Sequence, residues 1–308
     1  MAASAISPAN TGEYSYLVSR DYSDIFFNEY MKWPAHWSQI AKVTSSDGNY
    51  EKEAVLSPLG QFETIGEGGA TRFDVPEQGH AKTWYHTKFG KGFMLTEEMQ
   101  DDDKSRHMGK MGSASLAQSA LWKQEVQFFD LINSGWDTHT CADAFYIFDT
   151  SRTLLKAPGT TWANTPASQT TLSLTTLEAG LQHFDDLVNQ VGMPMQMRGK
   201  KILLIPTALR WLAKELTKSE LKPDTANNNI NPVYDEDLTF MVTPWITTST
   251  YWVLIVQGQH DMRFVWRKKL AFKAGDDFNT GNAMFKATQR FSNVCLDARG
   301  VYGSQGTA

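Results

Sequence analysis

Cysteine is scarce in this 308-residue chain: there are two, Cys141 and Cys295, far apart and in neither CxxC nor metal-ligand spacing. A disulfide scaffold and a cysteine-based zinc site are thereby excluded, and the pair reads as buried thiols of a protein made in a reducing compartment. Excess positive charge is also lacking. With 29 Lys and Arg against 34 Asp and Glu the net charge is −5, so no general polyanion-binding surface is expected. Long apolar runs are missing too. The longest uncharged stretch, Leu238 to His260, holds Pro244 and the run Thr247-Thr248-Ser249-Thr250, and only Tyr251 to Val256 is continuously apolar, which describes a buried strand and not a membrane span. The opening MAASAISPANTG has neither a basic n-region nor an apolar run, so no export signal is expected.

Catalytic signatures are equally absent. No G-x-S-x-G, H-E-x-x-H or P-loop occurs. The segment Gly66-Glu67-Gly68-Gly69 has the glycines of a phosphate cradle, but Pro76 and Gly79 follow where Lys-Ser/Thr and a helix are required. The 10 tryptophans raise the possibility of a sugar-binding groove, yet they run from Trp33 to Trp266 without clustering, and the acids Glu97, Asp185 and Asp186 fall on helix faces or caps. His80 and His86 lie on one presumed strand, where such a pair is more often incidental than a ligand set. Neither metal nor cofactor is expected.

What is present is 41% hydrophobic residues, enough for a sizeable core, in a recognisable order. Tyr22, Phe26, Tyr30, Trp33 and Trp37 recur at helical spacing, interrupted by Pro34, and describe either a helix packed on its own domain or an arm lying across a neighbour. Gln61–Ile65 and Ala81–Thr96 read as the two arms of a β-ribbon with the glycine-rich segment near its tip; Tyr85, Phe89, Phe93 and Leu95 alternate on one face, with Lys82, Trp84, His86 and Lys88 opposite. A two-stranded ribbon is marginal alone and has to rest on something else. Residues 105–133 form a long helical pattern along Ala117, Leu121, Phe128 and Ile132, and Asp101-Asp102-Asp103 before it suit helix capping better than an ion site.

After a polar stretch inside residues 156–178, Thr175-x-x-Glu178 reads as a capping box. Leu177, Leu181, Phe184, Val188 and Val191 make a helical stripe ended by Gly192 and Pro194. Ile202–Ile205 is a buried strand, Pro206 opens a helix along Leu209, Leu212 and Leu216, and strands follow at 238–242 and 251–256. The end, residues 261–308, returns to strands and carries eight Lys and Arg against four Asp, a net of +4 that fits either a solvated face or an acidic partner.

This order resembles the major capsid protein of tailed phages, in particular the major head subunit of Mu-like phages. Phe93-Met-Leu-Thr-Glu-Glu-Met-Gln-Asp-Asp leads into the long helix as it does there. Arg290-Phe-Ser-Asn-Val-Cys-Leu-Asp-Ala-Arg-Gly-Val-Tyr-Gly-Ser is similar to that family's closing strand and ending, and Thr225-Ala-Asn-Asn-Asn-Ile-Asn-Pro to a loop of its α/β lobe. The resemblance covers residue 50 to the end. It implies an α+β phage capsid (Hong Kong 97-like) fold: an N-terminal arm (1–47), an extended β-hairpin loop (48–96), a peripheral domain with a long spine helix (97–174), an α/β axial domain (175–260) and closing strands of the peripheral domain (261–308).

It further implies self-assembly into pentamers and hexamers of an icosahedral virion shell. The shell encloses double-stranded DNA without sequence-specific binding, is built in the host cytoplasm, and has scaffolding, portal and possible decoration proteins as partners. No long helical extension precedes the arm, so the scaffold is expected to be a separate chain. On this reading Gly66, Glu67, Gly68, Gly69, Arg72, Trp84 and Lys88 of the loop, and Arg267, Lys268 and Lys269 of the basic strands, are candidate inter-subunit contacts. Lys82, Lys88 and Lys91 are present, but no asparagine and glutamate are placed opposite them, and no cross-link is expected. The alternatives are an encapsulin-like shell that stores an enzyme, or an α/β hydrolase-like or sugar-acting enzyme.

Overall fold

Ala117, Leu121, Phe128 and Ile132, the stripe expected along residues 105–133, are all buried on one long helix in the computed structural model, which describes residues 11–103, 106–157, 159–222, 229–277 and 279–306. Half of the motif at 225–232 and the chain's first ten residues lie outside the described residues. In chain order the elements are α1 (Thr11–Lys32), α2 (Trp37–Ile40), β1 (Lys42–Ser45), β2 (Tyr50–Leu56), β3 (Gln78–Tyr85), β4 (Thr87–Leu95), α3 (Glu97–Asp102) and α4 (His107–Asn133). A short pair, β5 (Arg152–Thr153) and β6 (Thr161–Trp162), precedes α5 (Leu174–Asp185), β7 (Lys201–Ile205) and α6 (Arg210–Lys218). Strands β8 (Leu238–Val242), β9 (Trp252–Val256), β10 (Met262–Asp276), β11 (Ala283–Cys295) and β12 (Val301–Ser304) complete the chain.

Two compact units emerge. The first comprises the described residues up to Ala35 together with His86–Glu125 and Trp266–Phe291. Tyr22 and Phe26 of α1 are buried here: Tyr22 meets Phe285 edge-on at 5.2 Å, and Phe26 packs with Leu116, Ala117 and Ala287. Tyr22 and Phe26 are therefore core of their own unit, the first of the two alternatives, whereas Trp33 is exposed and Trp37 is buried in the second unit. Close approach depends on two glycines of α4, because a Cβ at Gly109 would sit 2.5 Å from the Tyr22 ring and one at Gly112 2.7 Å from the Phe93 ring. A polar chain crosses the same core with its groups satisfied: the Tyr30 hydroxyl donates to Gln124, the Gln124 amide donates to Gln289 (2.7 Å), and that of Gln289 to the Ala120 carbonyl. Strand β4 pairs antiparallel with β11, setting Phe93 opposite Phe285 with ring centroids 4.9 Å apart.

Before α4, the Thr96 hydroxyl caps α3 by accepting from the Met99 N–H (3.3 Å), and Asp103 accepts from the Met108 N–H (2.7 Å) at the start of α4. That is the capping role expected of this acidic run.

The second unit comprises His36–Tyr85, Val126–Val265 and the residues from Ser292 on. Its sheet runs β12-β9-β7-β8, with β7 parallel to β8 and antiparallel to β9. Leu177, Leu181 and Phe184 of α5 and Ala213 and Leu216 of α6 close on Leu203, Ile205, Trp252 and Leu254. Each such side chain contributes about 1.5–3 kcal/mol on burial, so this core carries the unit's stability.

Three expectations are corrected. The capping box is made by Ser173 and Thr176, two residues upstream of Thr175 and Glu178, because Ser173 is the residue with extended backbone there. Helix α5 stops at Asp185, short of Val191; Gly192, at φ 87°, instead closes a turn in which Asn189 Oδ1 accepts from the Val191 and Met193 N–H groups. Residues 61–65 form no strand, and 81–96 is not one strand but two, parted at His86: β3 pairs with β2 and β4 with β11. Alternation fixes which side chains share a face, not which face finds a core. Trp84 is buried with Val265, Val294 and Leu296, whereas Tyr85 is exposed.

Candidate subunit interface

Strands β2 and β3 form the root of the ribbon, in a register that pairs Tyr50 with Tyr85 and Glu51 with Trp84. Burial of Trp84 anchors it within the second unit, and Arg263 adds a polar anchor: its guanidinium lies 2.6 and 2.9 Å from the two oxygens of Glu53 on β2, and 2.6 and 2.9 Å from those of Asp261. Lys82 donates to the Thr140 carbonyl.

Beyond Leu56 the strands end and a different closure takes over. The Ser57 N–H donates to the Glu77 carbonyl (3.0 Å), and the Glu77 N–H donates back to the Ser57 hydroxyl (3.1 Å). Further out, the Gly60 N–H donates to Asp74 Oδ2 (2.8 Å), and Arg72 Nη1 reaches both Glu63 oxygens at 2.9 and 3.1 Å. At the tip the Gly69 N–H donates to the Gly66 carbonyl (2.9 Å) across a turn with Gly68 at φ 74°, a conformation that disfavours any other residue. The links recur every three residues along the outgoing arm, at 57, 60, 63 and 66. Lys156 secures the returning arm through the Val75 carbonyl (3.2 Å) and Asp74. Two backbone hydrogen bonds hold Asp74 below the usual carboxylate range, first that from Gly60, with Lys156 acting the same way.

The apolar residues sit between these links. Leu56, Leu59, Phe62 and Ile65 follow the same three-residue interval, and all are exposed, as are Phe73 and Val75 on the returning arm. Phe62 and Phe73 are 106% and 92% exposed, so the loop buries almost nothing of its own. These side chains are the feature the sequence reading missed, although their three-residue spacing was visible.

Of the candidate contacts, Gly66, Glu67, Gly68, Gly69 and Arg72 come together at the exposed tip. The others lie elsewhere. Trp84 is at the buried root, Lys88 is on β4 opposite Arg290 in the first unit, and on β10 Lys268 and Lys269 are exposed with Arg267 half-buried beside them.

The family model for phage capsid protein matches residues 81–304, most of the chain. The chain belongs to the phage capsid protein family. This capsid protein shares its fold with solved shells at low identity. The capsid of a native GTA particle superposes with a TM-score of 0.57 at 10% identity, over 89% of this chain and 90% of that one. The mature capsid of bacteriophage PhiM1 gives 0.54 at 9%, over 88% and 86%. The bacteriophage JBD30 capsid decorated with minor capsid protein trimers gives 0.52 at 17%, over 70% and 92%. A search of curated proteins returns no match. The capsid protein thus has the α+β, Hong Kong 97-like architecture of these phage shells. The family match favours the phage-capsid reading over the encapsulin-like and enzymatic alternatives.

Proposed function

We propose that the capsid protein assembles as pentamers and hexamers around double-stranded phage DNA, with the loop from Ser57 to Glu77 laid over an adjacent subunit. The observation that carries this is the exposed apolar series Leu56, Leu59, Phe62, Phe73 and Val75 on a loop closed by its own polar links. Exposed apolar side chains in such a row mark an interaction surface. Gly66, Glu67, Gly68, Gly69 and Arg72 make the tip contacts, and the strands bearing Lys88, Arg267, Lys268 and Lys269 meet acidic neighbours such as the 97–103 segment of another copy. Trp84 acts from beneath, by holding the ribbon's root.

On the same reading the five-part division into arm, extended loop, peripheral domain, axial domain and closing strands describes the assembled subunit. Scaffolding and portal proteins assist assembly in the host cytoplasm, decoration proteins add outside, and the role is structural, not catalytic. Electron microscopy of the purified or co-expressed chain tests it. Closed shells with five- and six-fold clusters are expected; uniform compact monomers under every assembly condition would overturn it.

A further inference from the structure

One buried cluster of the second unit lies outside its β12-β9-β7-β8 sheet, at the end of β11. Cys141 and Cys295, 154 positions apart in sequence, bring their Sγ atoms to 3.6 Å, and both are free and buried. Their backbones are held side by side without help from the sulfurs: the Ala142 N–H donates to the Leu296 carbonyl (3.0 Å), and the Cys141 N–H to the Phe145 carbonyl (2.8 Å). Arg152, its side chain wholly buried, sets Nη2 3.8 Å from Cys141 Sγ. The guanidinium is fixed there by Asp143 (2.6 Å) and by the carbonyls of Tyr146 and Ile147.

A buried cation beside one of two touching thiols favours a thiolate on that sulfur and leaves the other to resolve it. The hydrogen bond with Cys295 is the larger influence holding Cys141 below the ordinary thiol value; Arg152 adds to it, against the opposing effect of burial. The same hydrogen bond, and burial, push Cys295 up. Ala142, Asp143, Leu296 and Asp297, the neighbours of the two cysteines, line a cavity of about 10 Å³, room for a molecule the size of water.

We propose that Cys141 and Cys295 are a peroxide-reactive pair that closes to an intrachain disulfide. The Cys141 thiolate attacks one oxygen of hydrogen peroxide, the O–O bond breaks, and the departing hydroxide takes up a proton to leave as water; Cys141 is now a sulfenic acid. The Cys295 sulfur then attacks Cys141 Sγ, the S–O bond breaks, a second water leaves with the Cys295 proton, and the S–S bond forms. Two thiols lose two electrons and two protons, and the peroxide receives them. In a reducing compartment the pair stays open. After exposure to oxidant it ties the 141–152 loop to the end of β11, independently of whether shells have formed.

The test uses the full-length chain treated with hydrogen peroxide, quenched, unfolded in N-ethylmaleimide and weighed by mass spectrometry. Untreated protein takes up two maleimides; treated protein takes up none, is lighter by two hydrogens, and yields a peptide joining Cys141 to Cys295 that dithiothreitol separates. In Cys295→Ser, dimedone traps the sulfenic acid on Cys141, while in Cys141→Ser it leaves Cys295 unlabelled. Full maleimide uptake after peroxide, a link between two chains in place of the one within a chain, or dimedone on Cys295 but not on Cys141 would each overturn the proposal.

Discussion

Arg72 lies across the loop from Glu63, with Nη1 within 3.1 Å of both carboxylate oxygens, and the pair is one of four links that close the segment from Ser57 to Glu77. Both side chains are well exposed, so the ion pair contributes little to folding. Replacing residues 58–76 by a two-residue turn is therefore expected to leave the subunit's Tm nearly unchanged by calorimetry while shell yield collapses. The cut spares Gly79, because a Cβ there would meet the Val55 carbonyl at 2.5 Å and the ribbon's root would be lost with it. Unfolding of the shortened chain, or normal shells from it, would each rule out a loop that works on another subunit.

Gly68 and Gly66 separate conformation from space. Neither has an atom within 4 Å of an added Cβ, but only Gly68 is at positive φ. Gly68→Val should strain the turn by about 1–2 kcal/mol and raise protease cleavage at the tip, whereas Gly66→Val should not. Limited proteolysis of the two variants checks this, and equal cleavage would place the strain elsewhere.

Exposed Lys268 and Lys269, with Arg267 beside them, predict salt-sensitive assembly. Ion pairs at the surface are screened over about 10 Å at 0.1 M. Shell yield, followed by light scattering, should fall as salt rises in the wild type. In the triple alanine variant it should start lower and be flatter. Identical salt profiles would remove these residues from the interface.

Arg263 ties the ribbon to β10 through Glu53 and Asp261, and its side chain is largely shielded from solvent. Arg263→Ala should lower stability by about 1–3 kcal/mol in urea unfolding. Lysine should restore less than half of it, because an ammonium cannot serve two carboxylates with a planar fork. Full rescue by lysine would show that charge alone matters there.

His183 packs against Tyr302 at 5.0 Å, and its Nε2 is shielded without a hydrogen-bond partner among the described residues. Burial lowers its pKa to about 4, with Asp186 opposing. The unfolded chain takes up a proton near pH 6.5 while the folded one does not until about pH 4, so this group contributes no pH dependence above 6.5 and costs stability as pH falls from 6.5 to 4. The loss amounts to roughly 2–3 kcal/mol, since part of the ring edge remains accessible. Urea midpoints measured from pH 7 to 4 should drop less in His183→Gln than in the wild type; parallel curves would assign the acid loss to other groups.

The amino-acid sequence alone was enough for the long helix of residues 107–133 and the buried strands at 201–205 and 252–256, because each depends on a local apolar period that only one kind of element satisfies. It also held the motifs by which the family is recognised. Tertiary structure alone decided which strand Gln78–Tyr85 pairs with, since alternating side chains suit any partner of matching register, and Tyr50–Leu56 offered it. It decided as well that Trp84 and not Tyr85 turns inward, for the face that is buried is the one that meets Val265, Val294 and Leu296. The approach of Cys141 to Cys295 across 154 residues, and the links of the 57–77 loop, belong to the same class: they join groups through space whose separation along the chain carries no trace of their contact.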